Sequence, residues 1–325
     1  MNNRIFGKTG AVAGEVGLGC WQLGGDWGTV EEETAFRILE TAVDMGVSFW
    51  DTANVYGGGR SETLIGRYLK AHPAQIFVST KLGRGAIYPN GYTRTAVRQA
   101  TEESLRRLRV EALDLTQLHC IPMAALQQGD VFDWLRELQQ EGKIRNWGAS
   151  VESMDEALVC PEQEGLASLQ IIFNIFRQKP IQALFPQAQA KGVAIIVRLP
   201  LASGLLSGKF TAETHFAASD HRNYNRDGQA FNVGETFAGL PFEKGVELAD
   251  GLKSMVPAGL SMAQMALRWI LDHESVSAII PGATRPEQVR SNASASDLPP
   301  LGAARHDQLS AYYKANVRPF IRGPY

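Results

Sequence analysis

The chain has 325 residues, 44 % of them apolar and 20 % charged, and 32 basic residues stand against 34 acidic ones for a formal charge of −2. This length and composition can bury a large core without disulfides or structural metal, so disordered, fibrous and small secreted classes drop out. The near-neutral charge gives no general pull toward nucleic acid, Cys20, Cys120 and Cys160 are too scattered for a disulfide framework or a thiolate metal site, and no apolar run is long enough to cross a bilayer.

The polar opening, 1–10, carries no signal-peptide pattern, so the expectation is a cytoplasmic protein without a membrane or nucleic-acid partner. Residues 4–16 predict a small hairpin that closes the bottom of the fold. Eight short apolar runs then succeed one another, at 15–20, 47–53, 75–82, 113–120, 144–151, 169–176, 193–199 and 276–280. They are nearly continuous rather than alternating, as parallel strands buried on both faces are. Patterns with a period near 3.6 separate them, at 31–45, 61–70, 93–108, 131–140, 154–159, 180–190, 242–255, 261–271 and 286–293. Gly46, Gly142 and Gly192 each stand just before a strand and read as helix C-caps.

Eight strands alternating with helices predict an α/β protein, a (β/α)8 TIM barrel that takes up residues 1–325 as one domain. An open doubly wound sheet is the competitor. It would place a glycine-rich phosphate loop after its first strand, and Gly17-Leu18-Gly19-Cys20-Trp21-Gln22 does not complete that fingerprint. A long polar and aromatic loop, 211–240, follows strand seven, where a barrel places its catalytic face. The tail, 317–325, is basic and aromatic and reads as packed.

Barrel chemistry gathers at the C-terminal ends of the strands. Strand two ends in Asp51 with Tyr56 just beyond, strand three carries Lys81, and strand four ends in His119. Asp51 and Lys81 follow apolar runs, so each needs a partner, and a pair between them is either a structural clamp or part of a site. Tyr56 beside Lys81 would be a proton donor whose pKa the ammonium lowers. A neutral His119 would orient and polarise a carbonyl oxygen. Lys81 as the Schiff-base nucleophile of an aldolase is the alternative, and it requires an amine free of Asp51. No metal-ligand spacing and no activated cysteine stand out, Cys120 included.

The stretches Gly17-Leu18-Gly19-Cys20-Trp21, Phe49 to Gly57 with Ser61-Glu62, Ser79-Thr80-Lys81, Leu118-His119, Leu201 to Lys209 and Ile280 to Pro286 resemble the aldo-keto reductase superfamily nearly end to end. The likeness is to its bacterial, aryl-alcohol-dehydrogenase-like and potassium-channel-β-like branch. The resemblance implies an NADP(H)-dependent oxidoreductase that reduces aldehydes or ketones, with Asp51, Tyr56, Lys81 and His119 as the catalytic tetrad and Tyr56 as general acid. A cofactor-sensing regulatory subunit with little turnover is the other reading that this branch allows.

By the same resemblance, Trp21, Ser150, Gln170, Arg198, Pro200, Leu201, Gly204, Leu206, Gly208 and Lys209 bind the cofactor, with Gly282, Thr284, Arg285, Gln288 and Asn292 at its adenosine end. Val151 stands where relatives often have Asn, with Asn174 as a substitute, and Arg198 replaces a stacking tyrosine. The latter is either a stacked guanidinium or an ion-pair partner of a neighbouring loop. Arg285 with Thr284 points to a 2′-phosphate and hence NADP(H). Gly282, Gln288 and Ser291 stand where many relatives have Lys, Arg and Glu, which leaves NAD(H) open. A small carbonyl substrate would meet Trp21, Trp27, Tyr56, Tyr88 and His119, with Trp27 next to Asp26 in a glycine-rich loop and Trp50 nearby. The apolar surface positions single out no oligomer interface.

Overall fold

The computed structural model describes residues 1–25 and 27–325, so Asp26 lies outside the described residues. Two antiparallel strands open the chain, β1 (Asn3–Ile5) and β2 (Val12–Gly14). The barrel strands follow as β3 (Leu18–Gly19), β4 (Phe49–Asp51), β5 (Phe77–Leu82), β6 (Leu115–His119), β7 (Trp147–Ser150), β8 (Ser168–Ile172), β9 (Ala194–Arg198) and β10 (Val276–Ile279). Each pairs in parallel with the next in the chain. Parallel bridges Val16↔Ile279 and Gly19↔Gly282 close the sheet into a barrel. All eight expected strands are present, each shorter than expected, and the sixth starts one residue earlier, at Ser168.

Gly19 is dictated by this closure: a Cβ there would lie 2.7 Å from the carbonyl oxygen of Ile280 across the seam. The hairpin does close the bottom. Phe6, between its strands, is 1 % exposed and stacks on Phe49 at 5.5 Å, with Leu115, Ile196 and Ala278 completing the plug. A second apolar layer lies between the strands and the surrounding helices and includes Trp50, Trp147 and Trp269.

The helical periods recover Glu32–Asp44, Arg60–Ala71, Arg94–Leu108, Asp130–Gln140, Met154–Val159, Phe242–Leu252, Met262–Leu271 and Pro286–Ala293. Gly46, Gly142 and Gly192 have φ of 69°, 75° and 63°, the left-handed turn of a helix end. The expected helix at 180–190 is instead two, Pro180–Ala183 and Phe185–Lys191. Pro186 has no N–H to donate and its ring crowds the preceding turn. The helices Met123–Gln128, His221–Tyr224 and Ala303–Tyr312 were not foreseen. Two are too short to show a period, and Ala303–Tyr312 buries only Leu309 fully. Among the described residues no helix is long and apolar enough to cross a membrane.

The 211–240 loop is an ordered cover. Asn225 donates to Thr236 Oγ1 at 3.0 Å and accepts from the Ala230 and Phe231 amides at 2.9 Å. The tail is packed against it. Arg322 donates to the Gly239 carbonyl at 3.0 Å and pairs with Asp227 at 2.7 Å, while Arg177 donates to the Pro324 carbonyl at 3.0 Å.

Candidate active site

β4, β5 and β6 are neighbours in the barrel, and their C-terminal ends bring Asp51, Lys81 and His119 to one floor. Lys81 is 1 % exposed, and its ammonium donates to Asp51 Oδ2 at 2.5 Å, the Thr52 carbonyl at 2.7 Å and Tyr56 Oη at 3.1 Å. Burial pulls this amine toward neutrality, but the Asp51 carboxylate and the Tyr56 oxygen outweigh it, and the pKa is raised. An ammonium held by three oxygens has no lone pair to attack a carbonyl, which sets aside the Schiff-base reading of Lys81. The other Asp51 oxygen accepts from Gln170 Nε2 at 2.8 Å, so the buried carboxylate has two partners.

Tyr56 is set by glycines. Gly57 has φ of 59°, and a Cβ on Gly24 would lie 2.7 Å from the Gly57 nitrogen. Only bare backbone fits where these two loops meet. Gly57→Ala is expected to cost more than the about 1–2 kcal/mol of a left-handed residue with a side chain, because its Cβ would also collide with the Gly24 backbone. Thermal unfolding checks it, and an unchanged Tm would overturn this account of the turn.

Trp21 stacks on Tyr56 with ring centroids 5.6 Å apart, and His119 meets it edge-on at 5.8 Å. From sequence, Lys81 was expected to lower the phenol pKa. It does so, but burial is the larger effect, and the phenol is pushed up to about 12. Tyr56 therefore holds its proton at neutral pH. Burial and the charges of Lys81, Arg84 and Arg198 drive the His119 pKa well below its ordinary value, so the imidazole is neutral. Its Nδ1 is buried without a hydrogen-bond partner. This floor can hold a carbonyl oxygen between a protonated phenol and a neutral imidazole.

Above it opens a cavity of about 690 Å³. Of the expected ligand contacts, Trp21, Trp27, Tyr88, Ser150, Gln170, Arg198, Pro200, Leu201, Gly204, Lys209, Gly282, Thr284, Arg285 and Gln288 line it. Leu206, Gly208 and Asn292 do not. Leu206 is fully buried, Gly208 ends the turn at φ 69°, and Asn292 donates to the Gly282 carbonyl at 3.4 Å. Trp50 is not at the site either. It is core, with its indole N–H on the Val47 carbonyl at 2.9 Å. Asn174 is spent on the Leu199 carbonyl at 2.9 Å and the Phe176 amide at 2.9 Å. Gln288 is turned onto the Thr284 amide at 2.7 Å, which leaves Arg285 exposed at the rim.

Ser150 donates to Gln170 Oε1 at 3.3 Å, which links the cavity wall through Gln170 to Asp51. Arg198 pairs with Glu235 of the long loop and donates to the Val151 carbonyl at 2.8 Å, the neighbouring-loop ion pair that was one of its two readings. Burial pushes the Cys120 thiol up to about 12, which makes it a poor nucleophile.

Four charged cavity residues were not anticipated from sequence: Arg84, Glu152, Arg222 and Glu235. Arg84 donates to the His119 carbonyl at 3.2 Å and to Glu152 at 2.8 Å. Arg222 is held by Asp220 at 2.6 Å with its guanidinium 4.9 Å from the Trp27 ring centre. Arg84 and Glu152 lie a few residues beyond strand ends, and extending the search for charges past each strand would have found them. Arg222 and Glu235 belong to the 211–240 loop expected at the catalytic face, but nothing within that loop singles them out from its other polar residues.

The chain belongs to the aldo/keto reductase family, whose model it matches over residues 15–314, and as a member of that family it is an oxidoreductase. Members of this family generally use nicotinamide cofactors and act on small carbonyl compounds. Among its relatives is the aldo-keto reductase YhdN of Bacillus subtilis, 29 % identical over 89 % of this chain and 87 % of that one. Another is a probable voltage-gated potassium channel subunit beta of Arabidopsis thaliana, 28 % identical over 93 % of each. The solved glycerol dehydrogenase AKR11B4 of Gluconobacter oxydans superposes with a TM-score of 0.79 at 30 % identity, covering 99 % of this chain and 98 % of that one.

Proposed function

We propose that this is a cytoplasmic NADP(H)-dependent reductase of aldehydes or ketones with Tyr56 as general acid. The observation that carries it is the Lys81 ammonium joining Asp51 to the hydroxyl of a protonated Tyr56 on the cavity floor beside a neutral His119. The cavity fits a nicotinamide nucleotide. Gln22 Oε1 is buried on its wall without a hydrogen-bond partner, a polar atom that a bound ligand can satisfy. Ser150 and Gln170 would hold the carboxamide, Pro200, Leu201, Gly204 and Lys209 the diphosphate, and Arg285 with Thr284 the adenosine phosphate.

The bound reduced nucleotide supplies the hydride. The neutral His119 orients the carbonyl oxygen, and Tyr56 gives it a proton as negative charge develops there. The Lys81 ammonium then stabilises the phenolate left behind, and Asp51 keeps that ammonium in place. Fluorescence titration with NADPH and NADH, then an aldehyde and sugar panel followed by cofactor absorbance, tests this reading. Arg285→Ala should weaken NADPH about tenfold, the loss of one charge-assisted contact, and leave NADH unchanged. Equal affinities for the two nucleotides in the parent would overturn the phosphate role of Arg285.

A further inference from the structure

Beside His119 the cavity wall carries four charges that proton transfer does not use. Arg84 pairs with Glu152 at 2.8 Å, and Arg198 pairs with Glu235. The two acids face each other between the two arginines. An oxygen of each and the Cys120 sulfur all lie within 4.8 Å of one another. Two carboxylates this close resist carrying charge together, and a proton on one of them relieves the repulsion. The arginine on each acid opposes a metal ion there.

The groups that face Glu152 complete the account. Glu156, from the helix Met154–Val159, already accepts from the Glu152 and Ser153 amides at 2.8 and 3.1 Å. Glu235 approaches from the long loop, Arg84 from beyond β5, Arg198 from β9 and Cys120 from beyond β6. Burial and the charge of Glu235 push the Glu152 carboxyl up to about 7, against the pull of both arginines. The cluster also has a defined place. Glu152 is two residues past Ser150, Ser150 is in register with Gln170, and the Cys120 sulfur is 3.7 Å from Ser150 Oγ. On the functional reading above, on which this inference rests, Ser150 and Gln170 hold the nicotinamide ring.

We propose that Glu152, facing Glu235, forms a charge-sensing subsite for the nicotinamide ring, holding a proton when the ring is neutral and releasing it to solvent when the ring is a pyridinium cation. The charge balance sets the direction. Arg84, Arg198 and the two carboxyls, with the proton on Glu152, leave the cluster with one net positive charge, and without the proton it is neutral. A reduced ring is indifferent to that difference. An oxidised ring, itself positive, favours the neutral cluster. The subsite thus strengthens binding of the oxidised nucleotide as pH rises and leaves the reduced one alone.

The test is calorimetric titration of the full chain with NADP+ and with NADPH at neutral pH, each in two buffers of different ionisation heat. The 2′-phosphate titrates alike in both nucleotides and cancels in the comparison. The expected result is proton release on binding NADP+ and none in excess of the phosphate contribution on binding NADPH. The NADP+ affinity should also rise between about pH 6 and about pH 8, by ~tenfold for each unit the titration is displaced. Glu152→Gln should bind NADP+ without the extra release, and Glu235→Gln, which removes the opposing charge but not the burial, should release less than the parent. Equal proton counts for the two nucleotides in the parent protein overturn the subsite and leave the functional reading standing, as does undiminished release in either folded variant. Failure of both nucleotides to bind overturns the functional reading itself. The parent comparison decides the question even if neither variant folds.

Discussion

Tyr56→Phe is expected to lower carbonyl reduction about 10³-fold, within the usual range for a lost general acid. Phenylalanine keeps the ring that stacks on Trp21 and meets His119 edge-on, so the cavity wall survives. Lys81 loses one of its three oxygen partners and keeps Asp51 and the Thr52 carbonyl. NADPH affinity should therefore stay within about twofold while kcat collapses, the signature of an interaction made in the transition state. Stopped-flow turnover beside a fluorescence titration separates the two quantities, and retained turnover would sink the assignment of Tyr56. The raised phenol pKa, about 12, keeps the proton on Tyr56 across the physiological range, and His119 is neutral there. In the parent, neither Tyr56 nor His119 should therefore put a step into the reductive kcat/KM from roughly pH 6.5 to 9, and a rise with pH near 7 would report the Glu152 carboxyl instead.

Lys81→Met has the largest expected effect on stability. It leaves Asp51, 3 % exposed, with Gln170 as its remaining side-chain partner. Breaking a buried pair by removing one member costs about 3–5 kcal/mol. The buried carboxylate would then tend to bind a proton, so the loss should be greatest at high pH and smaller in acid. Denaturant unfolding at two pH values measures this. A cost below about 1 kcal/mol would mean that the pair behaves like an exposed ion pair and not a buried one. Turnover should fall as well, because the phenolate formed on Tyr56 loses its nearest positive charge.

Much of the barrel was legible because its strands are buried on both faces. Ile171 and Ile172, or Ile195 and Ile196, point to opposite sides of the sheet and are all buried, so each run reads as unbroken apolar text. Gly46, Gly142 and Gly192 marked helix ends by the same local logic. The helix break at Pro186 was equally local and was passed over because the apolar period runs across it. The helix Ala303–Tyr312 left little trace, since its one fully buried residue, Leu309, sets no period.

Within the site, Asp51, Lys81 and His119 stood out as polar residues closing apolar strands. The partners of Arg198 and Arg84 did not. Glu235 lies 37 residues from Arg198 and Glu152 lies 68 from Arg84, and only the closed barrel brings them together. Trp50, beside Asp51 in sequence, faces the helical layer instead, because successive strand residues point to opposite sides.

The seam between β3 and β10 bears on how the chain folds during its synthesis. Its bridges join Val16 to Ile279 and Gly19 to Gly282, and Arg4 reaches across to the carbonyls of Leu271, His273 and Val276. β4 through β9 can pair with their neighbours as each emerges, because every one of those contacts is to the next strand in sequence. The seam has to wait until β10 emerges, some 260 residues after β3, so β3 keeps an open edge while the rest of the barrel is made. Its shortness, two residues, gives that edge few groups on which another chain could pair.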